Sequence, residues 1–441
     1  MSWTGETHLS NNGAYRGGAL YEAVESTANW PGDTIFTGNI ALNDGGGGAV
    51  YVDSSSTAAW SGDTMSSNNK ASDDGGVVKA YDSTVCWTGN TSFSNNTSNA
   101  NGGAVHLQTS TATWVGKTAF SNNNASDDGG AVKAYNSTVC WTGNTSFSNN
   151  TSNVNGGAVH LETSTATWVG KTAFSNNIAS LDGGALYATL GSDMSWTGET
   201  HLSNNGARRG ESTANWSGDT TFTGHIALNN GGGGAVYVDF SSTAAWSGDT
   251  MFSNNKASDD GNTSFSNNTS NVNGGAVHLQ TSTATWVRGG ALYEAVESTA
   301  NWPGDTIFTG NIALNDSDAL HITDSWFKWG ATTTFSQNVA KRGSGGAVYI
   351  SKGTEMEWTG DTLFSYNRAG SDGGAIVVSS NGSDSSLIIN GPTKFQNNTC
   401  EGNGGGVRIS GAVSLAFKTK DVTFFGNMAT LSGGGDLDQC C

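Results

Sequence analysis

The sequence has little proline, little positive charge and few cysteines, and each shortage narrows the class of protein. Only 3 of the 441 residues are proline, whereas 63 are glycine. A chain rich in glycine, poor in proline and regular in its aromatic residues is typical of a β-solenoid and not of a disordered segment. The net charge is −18, with only 13% charged residues, which argues against nucleic acid and against anionic membrane surfaces as partners.

Cysteine and long apolar runs are also scarce. The five cysteines show neither a disulfide framework nor the spacing of a metal site. Cys86 and Cys140 fall in the same slot two repeats apart, at roughly 9–10 Å, too far for a disulfide. No stretch is long and apolar enough for a transmembrane helix, and none has the pattern of a signal peptide. We expect no membrane insertion by this segment and a chain that is a fragment of a longer protein.

What the sequence does contain is one repeated unit of about 27 residues. Gly-Gly-Ala recurs at this step, and tryptophan and phenylalanine keep the same step. The clearest series begin at Gly102, Gly129, Gly156 and Gly183 for the glycine pair, at Trp87 for tryptophan, and at Phe93 for phenylalanine. A fixed period of this size indicates a solenoid, in which each repeat forms one coil and stacks on the previous coil.

Each unit contains three short β-like runs separated by turn residues. In the unit Gly102–Asp128 they are Ala104–Leu107, Thr111–Trp114 and Thr118–Phe120. No segment has the apolar period of a helix. The pattern therefore predicts an all-β chain, a right-handed parallel β-helix of the pectin-lyase-like kind, with about 27 residues and three short strands per coil. The hand follows the general rule for parallel crossovers.

Strand alternation predicts which side chains face the interior. Val105 and Leu107 share one face, and Trp114 shares a face with Ala112, so we place these inside, with the tryptophan rings stacked at roughly 4.8 Å. The phenylalanines also point inward. An asparagine recurs three residues after each phenylalanine, as at Asn96, Asn123 and Asn150. There it can satisfy backbone groups at a turn, and the glycine pair can form a tight corner.

The repeats form one predicted array over 1–441, with recent duplications over 1–316 and diverged coils over 317–441. Residues 72–123 and 126–177 are near copies, so the duplicated unit there is two coils. Three junctions, near 210, 261 and 288, skip strands. A coil without one of its strands cannot close in register, so we expect kinks or bulged loops at these junctions.

The alternation of two short motifs resembles the repeat of the chlamydial polymorphic outer-membrane proteins. Examples are Gly129-Gly130-Ala131-Val132 with Phe147-Ser148-Asn149-Asn150, and Gly373-Gly374-Ala375-Ile376 with Phe395-Gln396-Asn397-Asn398. The resemblance covers almost the whole chain. Members of that family are autotransporter-like adhesins with a β-helical passenger. The resemblance therefore implies secretion, an outer-membrane or cell-surface location and an adhesin-like role.

The middle residue of each glycine-pair strand varies and is predicted to point outward, forming a candidate recognition strip. Aromatic and basic side chains in such a strip suit contact with glycans or proteins at a cell surface. A merely exposed sheet face is the simpler explanation. The strip consists of Tyr51, Lys79, His106, Lys133, His160, Tyr187, Tyr237, His278, Tyr293, Tyr349 and Arg408.

Other functions find less support in the sequence. Parallel β-helices also include polysaccharide lyases and glycoside hydrolases, which need an unrepeated cluster of acids and bases. Here the acids recur in one turn, at Asp73-Asp74, Asp127-Asp128 and Asp259-Asp260, where turn formation or weak calcium binding could explain them. Threonines such as Thr111 and Thr113 suggest an ice- or crystal-binding face, but Ala59 and Cys86 interrupt it. We expect a non-enzymatic scaffold without a cofactor, and keep a carbohydrate-active enzyme as the alternative.

Overall fold

A computed structural model describes most of the chain, in two compact units over 1–218 and 219–441. The described residues are 4–43, 45–189, 192–207, 307–313, 319–330, 332–380 and 384–433; between 208 and 306 only the backbones of the strands given below and the burial of Phe222 are described. No helix in these ranges is long and apolar enough to cross a membrane. Every described pairing between strands is parallel, and the predicted parallel β-solenoid is confirmed.

Each regular coil contributes strands to four sheets, one more than the sequence predicts. The glycine-pair, tryptophan and phenylalanine sheets hold the three predicted strands. The fourth sheet, called the two-residue sheet, is made of short strands that follow the asparagine three residues after each phenylalanine. An example is Thr97–Ser98 after Asn96. A strand of two residues is too short to show any alternation, so its pattern could not be recognised beforehand.

The first unit stacks these strands in chain order. Its glycine-pair strands are Leu20–Glu22, Val50–Val52, Val78–Tyr81, Val105–Gln108, Val132–Tyr135, Val159–Glu162 and Leu186–Thr189. Its tryptophan strands are Thr27–Trp30, Thr57–Trp60, Thr84–Trp87, Thr111–Trp114, Thr138–Trp141, Thr165–Trp168, Asp193–Trp196 and Thr213–Trp216. Its phenylalanine strands are Thr7–Ser10, Thr34–Thr37, Thr64–Ser67, Thr91–Ser94, Thr118–Ser121, Thr145–Ser148, Thr172–Ser175 and Thr200–Ser203. Its two-residue strands are Gly13–Ala14, Ile40–Ala41, Lys70–Ala71, Thr97–Ser98, Asn124–Ala125, Thr151–Ser152, Ile178–Ala179 and Gly206–Ala207.

The second unit has the same four kinds of strand. Its glycine-pair strands are Val236–Val238, Val277–Gln280, Leu292–Ala295, Leu320–Thr323, Val348–Ser351, Ile376–Ser379 and Val407–Ser410. Its tryptophan-type strands are Thr243–Trp246, Thr283–Trp286, Thr299–Trp302, Trp326–Trp329, Glu355–Trp358, Ser385–Ile389 and Val413–Phe417. Its phenylalanine strands are Thr220–Thr223, Thr250–Ser253, Thr306–Thr309, Thr333–Ser336, Thr362–Ser365, Thr393–Gln396 and Val422–Phe425. Its two-residue strands are Ile226–Ala227, Lys256–Ala257, Thr269–Ser270, Ile312–Ala313, Val339–Ala340, Arg368–Ala369, Thr399–Cys400 and Met428–Ala429.

The aromatic residues form the interior, as their parity predicts. In the first unit, successive indole rings from Trp30 to Trp196 stack with centroids 4.4–5.2 Å apart. The phenyl rings from Phe93 to Phe174 stack at 4.7–4.9 Å and meet the indoles edge to face. These rings are buried, and each new coil therefore adds a large apolar surface to the core.

A ladder of buried asparagines links the coils at the corner after the phenylalanine strands. Asn123 Oδ1 accepts hydrogen bonds from the backbone N–H (3.1 Å) and the Nδ2 (3.0 Å) of Asn96. Its own Nδ2 donates to Phe93 O (3.0 Å) and to Asn150 Oδ1 (3.0 Å). The same pattern repeats in both units. The predicted structural role of the asparagine is confirmed, and each described ladder amide satisfies otherwise orphaned groups.

Two positions in the regular coils favour glycine, each for a different reason. Gly102 has a φ of +63°, the left-handed region that only glycine enters without cost. A Cβ on the next residue, Gly103, would lie 2.1 Å from the carbonyl oxygen of Gly130 in the following coil. The pair therefore turns the chain sharply and lets neighbouring coils approach closely.

The structure does not test several predictions about the organisation of the chain. The junctions near 210, 261 and 288 and the pair Asp259-Asp260 lie outside the described residues. The single array over 1–441, the right hand of the coils and the pectin-lyase-like likeness stay predictions. Cys86 and Cys140 pair in register with the same residue, Thr113, which confirms that they occupy one slot two coils apart.

Candidate functional site

The structure brings six residues of the recognition strip into one column of the first unit. Backbone register aligns each with the next on the adjacent strand of the glycine-pair sheet. Their neighbours in each strand, such as Val105 and Leu107 beside His106, are buried in the interior. The column runs Tyr51, Lys79, His106, Lys133, His160 and Tyr187.

The expected exposure of this column is wrong for its central members. His106, Lys133 and His160 are only 6%, 5% and 3% exposed, and Tyr51 is 7% exposed. Tyr51 lies under Tyr21, which stacks on it at 5.6 Å, and under the guanidinium of Arg16. The histidines and lysines are buried because the acidic turn before each glycine pair folds back over the strand and pairs with them.

Two ion-pair clusters result, one in each copy of the two-coil repeat. In the first, Lys79 Nζ lies 3.0 Å from Asp73 Oδ2 and 2.7 Å from Asp74 Oδ2, and His106 Nδ1 lies 3.0 Å from Asp74 Oδ2. The amide of Asn101 donates to Asp74 Oδ1 from its backbone N–H and from its side chain. The repeated aspartate is thus a turn residue and also the partner of the strip.

The second cluster repeats this arrangement two coils later. Lys133 Nζ lies 3.4 Å from Asp128 Oδ2, 2.8 Å from Glu162 Oε2 and 3.2 Å from His160 Nδ1. His160 Nδ1 lies 3.1 Å from Asp128 Oδ2, and the backbone N–H of Asn155 donates to Asp128 Oδ1. Across both clusters, two lysines face four carboxylates, so the charges of Lys79 and Lys133 are already neutralised.

These contacts hold the aspartates in their charged form. Burial raises the pKa of Asp74, but the His106 ring and the Lys79 ammonium outweigh it, and the pKa lies well below its usual range. Burial also raises the pKa of Asp128, but His160 and Lys133 lower it more strongly, and the pKa falls to about 2. Burial lowers the pKa of His160, against the opposing effect of Asp128. At neutral pH both aspartates are therefore carboxylates.

In the second unit the strip is less charged. Tyr237, His278 and Tyr293 occupy successive register positions, with side chains outside the described part of the structure. Register continues from Tyr293 through His321 and Tyr349 to Val377 and Arg408. The rings of His321 and Tyr349 lie 5.0 Å apart, and Arg408 Nε lies 3.9 Å from Asp372 Oδ2. His321 lies in the strip by register but was not among its predicted members; Ser317-Asp318 stands in place of the glycine pair ahead of its strand.

A second outward column was also missed, because the strands extend one residue further than the sequence suggests. Tyr81, Gln108, Tyr135 and Glu162 end four successive glycine-pair strands and align in register. Tyr81 and Tyr135 are 39% and 42% exposed. A recess beside Tyr135 is lined by residues of this column and of both clusters: Asn101, His106, Gln108, Asp128, Lys133, Tyr135 and Glu162.

The geometry of the two ion-pair clusters resembles a binding surface more than a reaction centre. Among the described residues, no group of three His, Cys, Asp or Glu side chains is placed to hold a metal ion. A general acid in glycoside hydrolysis needs a raised pKa, whereas the pKa values of Asp74 and Asp128 are both lowered. An exposed tyrosine over fixed polar groups is the chemistry of recognition.

Comparison with known proteins identifies the repeat. The model of the Chlamydia polymorphic membrane protein repeat matches the chain seven times. The matches lie at 33–53, 90–108, 144–162, 171–189, 262–280, 332–351 and 361–379. Most run from a phenylalanine strand or its preceding turn, through the two-residue strand, to the next glycine-pair strand, so the matched motif spans three of the four sheets.

Two curated proteins resemble this chain. The probable autotransporter YfaL of Escherichia coli is 32% identical, with 32% of this chain and 14% of that protein covered. The probable outer membrane protein pmp6 of Chlamydia pneumoniae is 30% identical, with 38% of this chain and 14% of that protein covered. The chain therefore spans about a seventh of each relative. No solved structure matches. The resemblance drawn from the sequence is confirmed, and the chain is a parallel β-solenoid containing polymorphic membrane protein repeats.

Proposed function

We propose that the chain is part of a secreted or cell-surface scaffold that is non-enzymatic and adhesin-like, and that presents its glycine-pair sheet to a glycan or protein. The observation that carries this proposal is the sevenfold match to the polymorphic membrane protein repeat. The two similar proteins are named as a probable autotransporter and a probable outer membrane protein, which supports a location at the cell surface or outside the cell.

The form of the molecule supports a scaffold. Its interior is filled by stacked indole and phenyl rings, and its corners are fixed by the asparagine ladder. A solenoid of this kind holds outward side chains at fixed spacing over a long surface, which suits multivalent recognition. At the two ion-pair clusters the alternative of a carbohydrate-active enzyme has the weaker support, since the pKa of each cluster aspartate is lowered and not raised.

Two measurements test the proposal. Antibodies against the chain should label intact cells of the source organism as strongly as permeabilised cells, and beads coated with the purified chain should bind to host or neighbouring cells. Labelling only after permeabilisation, or uncoated and coated beads binding equally, would contradict the proposal. Release of new reducing ends from a polysaccharide by the purified chain would favour the enzyme.

A further inference from the structure

The alternation of tyrosine and polar residues at the ends of the glycine-pair strands repeats every two coils. Tyr81 and Tyr135 are separated by Gln108, and Glu162 follows on the next coil. We call these four residues the tyrosine strip. Because adjacent strands lie about 4.8 Å apart, the two tyrosines are about 10 Å apart along the stack.

The backbone under the tyrosine strip is fixed by a ladder of buried serines. Ser83 and Ser137 donate from Oγ to the carbonyl oxygens of Tyr81 and Tyr135, each at 2.7 Å. The backbone N–H of Ser110 donates to Ser137 Oγ, which joins the coils. A backbone fixed in this way holds the tyrosine strip at constant spacing, so little backbone conformational entropy is lost on binding.

The spacing and the chemistry of the tyrosine strip fit one class of ligand. The apolar face of a sugar ring packs on an aromatic ring, and its hydroxyl groups bond to amide and carboxylate side chains. In an extended β-1,4-linked chain each sugar is turned by half a turn relative to the previous one. Equivalent faces therefore recur every second sugar, at about the distance between Tyr81 and Tyr135.

Charge selects among polysaccharides of this shape. Lys79 and Lys133 are already paired with carboxylates, and Glu162 lies in the strip itself. An acidic polysaccharide would meet uncompensated negative charge here, as on the chain as a whole, whose net charge is −18. A neutral chain avoids this repulsion.

We propose that the tyrosine strip binds an extended, neutral, β-1,4-linked polysaccharide along the stack, with every second sugar packed on a tyrosine. Gln108 bonds the hydroxyl groups of the sugar between the two tyrosines, and Glu162 bonds those of the sugar beyond Tyr135. This assignment rests on the proposed function, because it names the ligand of that recognition surface.

The test measures binding of the whole chain to cellohexaose, chitohexaose and their disaccharides by calorimetry, with polygalacturonate as the acidic probe. At least one hexasaccharide should bind roughly tenfold more tightly than its disaccharide, because only the longer chain spans both tyrosines. Tyr81→Ala and Tyr135→Ala should each reduce hexasaccharide binding by roughly tenfold. Tyr366→Ala, at an exposed tyrosine of the other unit, should leave binding unchanged.

A swap of two residues tests the spacing itself. Gln108→Tyr combined with Tyr135→Gln keeps the composition but moves the second aromatic ring to the adjacent coil. The preference for the hexasaccharide should disappear, while circular dichroism shows the fold retained. The inference is overturned if no neutral oligosaccharide binds, if polygalacturonate binds more tightly, or if the swap has no effect. Should coated beads still bind cells in those cases, the proposed function stands and only the ligand is wrong.

Discussion

At the scale of single residues, the coil depends on side chains that tolerate a left-handed backbone. The residue between the glycine-pair and tryptophan strands has a positive φ in many coils, and Asp82, Thr109, Asn136 and Thr163 hold this slot in successive coils. Asparagine and aspartate enter this region readily, whereas a β-branched residue is strained there. Thr109 and Thr163 are therefore strained positions of this slot.

Thr109→Asn should stabilise the chain. Thr109 is exposed and has a φ of 52°, so asparagine, which the neighbouring coil uses at Asn136, relieves strain without loss of packing. We expect the free energy of unfolding to rise by about 1 kcal/mol in urea denaturation. Thr111→Asn, two residues away in a regular strand, is the control and should not stabilise. A fall in stability for Thr109→Asn would show that this backbone is not strained.

His321 should make the chain sensitive to mild acid. Burial, with a smaller effect of Lys352, lowers its pKa from 6.5 to about 4. Folding therefore favours the neutral ring, and stability is lost as the pH falls from 6.5 towards 4, because the unfolded chain is protonated first. Between pH 7 and pH 5 this loss amounts to about 2 kcal/mol.

The comparison of wild type with His321→Gln by urea denaturation at pH 7 and pH 5 measures this effect. The variant should lose about 2 kcal/mol less than the wild type between the two pH values. His201→Gln, at an exposed histidine beside Glu199, controls for the substitution. Equal losses in wild type and His321→Gln would contradict the assignment.

At the scale of the element, the asparagine ladder is the feature that holds one coil to the next in a unique register. Asn123→Asp keeps the shape and both accepted hydrogen bonds, but the donors to Phe93 O and Asn150 Oδ1 are lost. An unpaired charge is then buried against two oxygen atoms. We expect the free energy of unfolding to fall by roughly 3 kcal/mol at neutral pH, measured by urea denaturation.

The exposed Asn99 provides the matched control for this prediction. Asn99→Asp should change the free energy of unfolding by less than about 0.5 kcal/mol. If the two variants were equally stable, the ladder would contribute little to the fold, and the indole and phenyl stacks alone would have to set the register.

The strands also show which side-chain positions can be predicted from the sequence and which cannot. Trp114 and Phe120 were correctly placed inside, since strand alternation fixes their side directly. The burial of His106 and Lys133 could not be predicted, because it depends on how the aspartate turn packs on a strand in the folded state. The outward position of Tyr81 and Tyr135 could have been predicted. Continuing the strand alternation one residue past Ala80 and Ala134 places both tyrosines outside, with the strip.

At the scale of the whole molecule, we expect that whole coils of the first unit can be removed without loss of the fold. Residues 126–179 comprise two coils, and their removal joins Ala125 to Ser180 at the same place in the repeat. Deletion of 126–179 should leave a folded chain with unchanged β content per residue. The m-value of the first unit in urea should fall by roughly a quarter, in proportion to the surface removed.

A deletion out of step with the coil is the control for this prediction. Removal of 126–165 joins a two-residue strand to the middle of a tryptophan strand and cannot restore the register. We expect loss of the cooperative transition in circular dichroism. Equal behaviour of the two deletions would mean that the coils are not separable parts.

The asparagine ladder also gives the stack a direction. Every described link between ladder amides runs the same way: the earlier coil donates from its backbone N–H and Nδ2, and the later coil accepts on Oδ1. Across a cut between two coils, the ladder amides therefore leave donors on the earlier coil and Oδ1 acceptors on the later coil, while the bonds from Nδ2 to the phenylalanine carbonyls run the opposite way. Both sets of bonds form only when coils stack head to tail, so a stack of this kind is polar like a filament, and a coil added in reverse would set ladder donor against ladder donor.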